Sequence, residues 1–297
     1  MSVISYQFIE PHALAAIANL QLIAKTVVDG FMLGLHQSPK SGVGLEFNQY
    51  RSYQPGDDLR RVDWKMYARS DKFFVRESEI ETSVTVRFVL DASASMNHRE
   101  NSVSKFDYAR FLIASLAYLA HKQGDAIALH ALNDERVVSI EPSRNHRQLH
   151  RFLHLLESLC ASGKWGDWRS VENVFAASRH KELLVFVSDM HEASEELRTA
   201  LSKLVGLRNE VMLCHLVGKN ELDLPQRGAV VFEDLETGER VQVDVDAARS
   251  AYRAAVEQNA QVLREALLEN HISYHRFLIQ EPLDAALREF LRSRKKV

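Results

Sequence analysis

Residues 84–96 read VTVRFVLDASASM, an apolar, β-branched run that ends in an aspartate, with two serines following at alternate positions. A run of this composition reads as a buried strand. Open α/β sheets bind ligands outside the carboxyl ends of their strands, and Asp91 falls at such an end. Asp91, Ser93 and Ser95 therefore offer one carboxylate and two hydroxyls from a single tight loop. An all-oxygen donor set suits a hard divalent cation such as Mg²⁺ or Mn²⁺ far better than zinc. A second strand, Leu183 to Ser188, delivers Asp189 in the same way.

The rest of the chain supplies the elements such a sheet needs. The first ~35 residues read as an amphipathic helix, and Leu45 to Tyr53 and Lys72 to Arg76 as short strands. From residue 82, strands and helices alternate. Strand 84–91 leads to a helix over 105–122 that opens with a capping box, Ser104 with Asp107 three residues on. Its core face is Phe106, Ala109, Ile113, Leu116, Ala117 and Ala120, and Gly124 stops it. Strands 126–132 and 136–140 are joined by Asn133-Asp134-Glu135, a link short enough to require an antiparallel hairpin. Helices are expected at 145–160, about 170–179, 194–206, 246–270 and 283–294, and strands at 183–188, 210–217 and 272–279. A hairpin inserted at about 228–245 turns at Glu236-Thr237-Gly238. This alternation predicts an α/β fold, a mainly parallel sheet with helices on both faces. Residues 1–80 read as an N-terminal helix and small flanking subdomain, and 82–297 as the main domain.

Composition narrows the function classes. A net charge of −3 over 297 residues leaves no basic footprint for nucleic acid. No apolar run approaches the ~20 residues of a membrane span, and with no basic segment ahead of the apolar stretch His12–Leu35, a cytoplasmic location is expected. Cys160 and Cys214 fall in a predicted helix and a predicted strand and read as buried free thiols, which suits a reducing compartment.

At this point the residues carry a family likeness. Asp91-Ala92-Ser93-Ala94-Ser95-Met96 resembles the metal-ion-dependent adhesion site of von Willebrand factor A domains, and Ser188-Asp189 resembles the later strand end that supplies that site's second aspartate. The block Tyr50-Arg51-Ser52-Tyr53-Gln54-Pro55-Gly56-Asp57-Asp58-Leu59-Arg60-Arg61-Val62-Asp63-Trp64-Lys65-Met66-Tyr67-Ala68-Arg69 resembles the signature of an uncharacterised bacterial family with a von Willebrand A-like, Rossmann-type domain. Phe232 to Glu239 and Glu281 to Asp284 match its later segments. The resemblance implies Asp91, Ser93, Ser95 and Asp189 as metal ligands and a MoxR-type AAA+ ATPase, with a client protein, as partners. It also implies chaperone-like work without catalysis by this chain, which has no G-x-x-x-x-G-K-[ST] loop of its own. One departure stands out. The adhesion site usually takes a threonine from the loop after the second helix, and here residues 161–170 read ASGKWGDWRS, leaving Ser162, Ser170, Asp167 or water as substitutes.

Other features have blander readings beside sharper ones. Arg51, Asp57, Asp58, Arg60, Arg61, Asp63 and Trp64 form either a partner surface or a structural wrap round a local aromatic core. Trp165 and Trp168 flank a glycine near the expected metal loop, as a binding surface or as packing. His146, His150 and His154 recur at helical spacing but lie beside an apolar face, as a solvated flank would. Two alternatives to the adaptor reading stand: a Mg²⁺-dependent phosphatase or phosphotransferase using Asp91 as phosphoryl acceptor, and a structural subunit with a vestigial metal site. Against the phosphatase, the second aspartate such enzymes place two residues on is Ser93 here.

Overall fold

The computed structural model describes residues 10–17, 19–36, 49–53, 62, 64, 67, 69, 73–77, 84–135, 137–165, 181–190 and 209–294. Chain contacts divide it into two compact units, Met1–Met32 with Val84–Val297, and Leu33–Ser83. The chain enters through α1 (Pro11–Leu14) and α2 (Leu20–His36). Leu20, Ile23, Ala24, Val27, Val28 and Phe31 are buried, at the spacing of one helical face, while Gln21 and Lys25 are exposed.

In the smaller unit, β1 (Gln49–Ser52) pairs antiparallel with β2 (Phe74–Glu77). Beside it Tyr67 stacks on Phe73 at 4.4 Å between ring centroids, and Trp64 meets both rings edge-on. Trp64 nevertheless stays 57% exposed, so this aromatic cluster is open on one side.

The larger unit is built on a six-stranded sheet. In chain order its elements are β3 (Thr85–Asp91), the short hairpin β4 (Arg99–Glu100) and β5 (Val103–Ser104), α3 (Lys105–Lys122), β6 (Ala126–Leu132), β7 (Val137–Ser143), α4 (Gln148–Ser158), β8 (Glu182–Ser188) and β9 (Glu210–Val217). Then come α5 (Lys219–Asp223), the hairpin β10 (Ala229–Glu233) and β11 (Arg240–Asp244), α6 (Val245–Glu269), β12 (Ser273–Leu278) and α7 (Asp284–Arg294). The strand order is β12-β9-β8-β3-β6-β7, parallel throughout except for β7, which runs antiparallel to β6. β3 sits inside the sheet, between β8 and β6, and is buried from Val86 to Asp91, which is why its sequence is an almost unbroken apolar run.

Both faces carry helices. On one, Phe88 meets Phe152 of α4 at 5.6 Å, and the face of α3 read from the sequence is buried throughout. On the other, Val89, Phe186 and Leu213 pack with Leu263 and Leu267 of α6. The Ser104 hydroxyl caps α3 by accepting from the Asp107 N–H, and the Asp107 carboxylate accepts in return from the Ser104 N–H.

Among the described residues the expected strands and helices fall close to their observed bounds, with some differences: the helix read over the first ~35 residues is two, α1 and α2. β7 runs on to Ser143, and α4 occupies 148–158 rather than 145–160. Because Leu159 leaves α4 in an extended conformation, Cys160 lies beyond the helix and is exposed; only Cys214 is the buried thiol expected of both. The helices expected at 170–179 and 194–206 lie outside the described residues.

One charged group crosses the sheet interior. Arg87, 3% exposed, donates to both carboxylate oxygens of Glu182 on β8, at 2.8 and 3.0 Å, and its Nη1 lies 2.9 Å from His130 Nε2 on β6. Removing one member of a buried pair strands the other's charge, which costs about 3–5 kcal/mol, whereas replacing both with apolar groups is often near neutral. Arg87→Met is therefore expected to destabilise the protein by about that amount in urea unfolding, and the double variant Arg87→Met, Glu182→Leu by clearly less; equal losses would contradict a stranded charge.

Candidate functional site

The carboxyl ends of β3 and β8 lie side by side, and the register that pairs Leu90 with Val187 brings Asp91 next to Ser188. The Ser188 hydroxyl donates to Asp91 Oδ2 at 2.7 Å, and the Ser93 N–H donates to Oδ1 at 3.0 Å. The loop then turns into a short 3₁₀ segment, Ala94–Asn97, which aims both serine hydroxyls inward. Ser93 Oγ and Ser95 Oγ are 2.9 Å apart, and Ser95 Oγ donates to Asp189 Oδ1 at 3.3 Å. Asp91, Ser93, Ser95 and Asp189 are all buried. The four candidate ligands named from the sequence thus form one continuous cluster.

The electrostatics of the cluster are strained in one direction. Burial, and next the charge of Asp189, push the Asp91 carboxyl up to about 7, although hydrogen bonds from Ser188 and Ser93 oppose the shift. Asp189 is partly neutralised by Lys105, whose Nζ donates to Asp189 Oδ2 at 2.9 Å and to Glu221 Oε1 at 2.7 Å. Burial pulls the lysine towards its neutral form, but Asp189 and Glu221 together outweigh it and raise its pKa above the ordinary value. Glu221 is in turn held by the Gly218 N–H at 2.6 Å. On the next strand, burial pushes His215 down to about 4, so the ring is neutral where its Nδ1 meets the Tyr274 hydroxyl at 2.7 Å. Lys105, Asp189, His215 and Glu221 line a cavity of about 470 Å³ walled on its far side by α6.

Two more loops close over the motif. Ala94 N–H donates to the Gly163 carbonyl at 2.8 Å, and Ser162 N–H to the Ala92 carbonyl at 2.9 Å. Gly163 is required there: its φ is +69°, and a Cβ would come within 2.1 Å of Asp134 Oδ1. Of the residues considered in place of the missing threonine, Ser162 lies against the motif, with its hydroxyl engaged by Asn133 Nδ2 at 3.2 Å. Ser170 and Asp167 lie outside the described residues.

Trp165 packs on the sheet, 5.7 Å from Phe186, which is the packing alternative. Trp168, Asp57, Asp58, Arg60, Arg61 and Asp63 lie outside the described residues, as does the Arg51 side chain. Among the described residues no group of three or more His, Cys, Asp or Glu is placed to hold a metal ion, and His150 and His154 are exposed. Sequence reasoning missed Lys105 and Glu221. The available signal was a lysine in the first turn of a helix, where the backbone dipole disfavours a cation.

The chain is similar to several known proteins. The family described as "Protein of unknown function DUF58" matches residues 49–262. The uncharacterised protein Rv1480 of Mycobacterium tuberculosis (strain ATCC 25618 / H37Rv) is 28% identical over 261 residues, 86% of this chain and 81% of that protein. The uncharacterised protein Mb1516 of Mycobacterium bovis matches to the same extent, 28% over 261 residues. Among solved structures, an aerotolerance-related membrane protein from Bacteroides fragilis superposes with a TM-score of 0.50 at 14% identity, over 72% of this chain and 100% of that one. The conserved hypothetical protein BatB from Bacteroides thetaiotaomicron gives the same TM-score of 0.50 at 14% identity over the same shares, 72% and 100%. The fold is von Willebrand A-like. Among the described residues no helix is long and apolar enough to cross a membrane.

Asp91 sets a testable pH dependence in chelator-treated protein. Its folded pKa, about 7, exceeds the ordinary value of 3.8, so between these values the folded state holds a proton that the unfolded state has released. Stability should therefore fall as pH rises from about 4 to about 7. The difference between wild type and Asp91→Asn in thermal unfolding should carry that slope; parallel curves would contradict it.

Proposed function

The chain belongs to that DUF58 family, and we propose that it is a non-enzymatic protein-interaction module with a divalent-cation site at the end of its sheet. Asp91, Ser93, Ser95 and Asp189 would hold Mg²⁺ or Mn²⁺, and the cation would supply a Lewis-acidic contact for an acidic side chain of another protein. The observation that carries this reading is the convergence of two buried carboxylates and two hydroxyls in one cluster, where burial and then the charge of Asp189 raise the Asp91 pKa. Hydroxyls and carboxylates are the donors a hard cation takes, and unbalanced negative charge is what it neutralises. The partner proposed from the family resemblance is a MoxR-type AAA+ ATPase, with this chain presenting a client protein and the ATPase supplying the hydrolysis.

An enzymatic role finds less support. The residue two positions after Asp91 is Ser93, whose hydroxyl does not exchange protons near neutral pH. A metal-free structural role is favoured by one observation, the Lys105 ammonium already seated on Asp189.

The module reading predicts that Mn²⁺ at about 100 times its Kd stabilises the protein by about 2.7 kcal/mol. Asp91→Asn should remove that gain in a thermal-unfolding series while leaving the metal-free protein folded. Unchanged unfolding with Mn²⁺, Mg²⁺ and chelator would favour the structural reading instead. With a purified MoxR-type AAA+ ATPase, binding should need the cation and fail in Asp91→Ala, Asp189→Ala; binding indifferent to both would move the docking surface elsewhere.

A further inference from the structure

Resting on the metal reading of Asp91 and Asp189, we propose that Lys105 is an internal counter-ion that competes with the divalent cation for Asp189. Glu221 is the position that keeps the lysine when the cation is bound.

Lys105 is the first residue of α3, at the positive end of the helix dipole, and its side chain is only 5% exposed. A cation so placed is tolerated only where anions compensate it. Two do, and they are unequal. Asp189 is 1% exposed and already takes the Ser95 hydroxyl, whereas Glu221 is 31% exposed and faces the cavity. Glu221 is also held independently of the lysine, since its Oε2 accepts from the Gly218 N–H at 2.6 Å. The packing there is close: a Cβ on Gly218 would meet the side-chain ends Glu100 Oε1 at 2.4 Å, His98 Nε2 at 2.9 Å and Glu221 Oε2 at 3.0 Å, which would have to shift.

The geometry therefore offers the ammonium two seats. In one it bridges Asp189 and Glu221, at 2.9 and 2.7 Å. In the other it stays on Glu221 alone and Asp189 turns its second oxygen to a divalent cation. The cavity of about 470 Å³ adjoins all three side chains and gives the lysine room for this small swing. Two cations on one buried carboxylate repel each other strongly at such range. Occupancy by one therefore weakens the other, and Lys105 sets the metal affinity of the site. The fold can then close with balanced charge whether or not the cation is present.

Mn²⁺ binding to the full chain, followed by electron paramagnetic resonance of the free ion, tests this directly. Lys105→Met is expected to bind Mn²⁺ roughly tenfold or more tightly than wild type, as removal of a like charge a few ångströms away allows. Glu221→Gln, which leaves the ammonium to Asp189 alone, should bind more weakly than wild type. Adding Asp189→Asn to Lys105→Met should abolish the gain. Circular dichroism checks the fold of each variant, and Lys105→Gln replaces Lys105→Met if the latter does not fold. Binding by Lys105→Met where wild type shows none also supports competition. Equal or weaker binding by the folded lysine variants, with wild type binding Mn²⁺, would overturn it and leave the metal reading intact. No Mn²⁺ binding by wild type or any variant would remove the metal reading and the competition together.

Discussion

Two carboxylates meet in a buried crevice at the carboxyl ends of adjacent parallel strands, and their charge has to be answered from the surrounding loops. Most of the local architecture does this. A backbone N–H and a serine hydroxyl serve Asp91, and a second hydroxyl and a lysine serve Asp189. The lysine in turn ties α3 to the loop after β8 and to α5, through Asp189 and Glu221. In the proposed reading, the same compensation that lets the crevice form tunes what it binds. Hydrogen bonds from neutral donors soften the charge of Asp91 without cancelling it, and Lys105 brings a formal positive charge to the cluster.

The sheet holds a second buried ionic cluster, and the contrast between the two is instructive. Arg87 and Glu182 lie towards the amino ends of β3 and β8, with His130 of β6 against the arginine, which makes a two-pronged contact with one carboxylate. That geometry satisfies both partners and burdens neither. Burial and the neighbouring arginine push His130 down to about 4, so the histidine stays neutral there. At the other end of the same strands, among the described residues, two carboxylates share a crevice with the Lys105 ammonium and the partly exposed Glu221.

Much of this was legible in the sequence for physical reasons. Strands buried on both faces cannot alternate, so continuous apolar runs marked β3, β8 and β9, and Asp91 and Asp189 stood out as their polar endings. The reciprocal bonds of Ser104 and Asp107 follow from residue types three apart. What escaped was set by tertiary approach. Nothing local to Lys105 says that a carboxylate 84 residues away and another 116 residues away will enclose its ammonium. Cys160 was misread because α4 ends two residues early, a boundary decided by the extended turn at Leu159 and not by the apolar pattern. Trp165, equally ambiguous in sequence, is drawn into packing by Phe186 beneath it.

A von Willebrand A-like scaffold puts this crevice where a sheet of this kind exposes its ligand-binding edge, and the oxygen-rich donor set there is the basis for reading the protein as a cation-dependent interaction module. The most direct measurement is anomalous diffraction at the manganese edge from crystals grown with Mn²⁺. The account predicts one strong peak within bonding distance of Asp91, Ser93, Ser95 and Asp189, with the Lys105 ammonium moved off Asp189 and kept by Glu221. An ordered site with no peak, and with Lys105 still on Asp189 at saturating Mn²⁺, would contradict it.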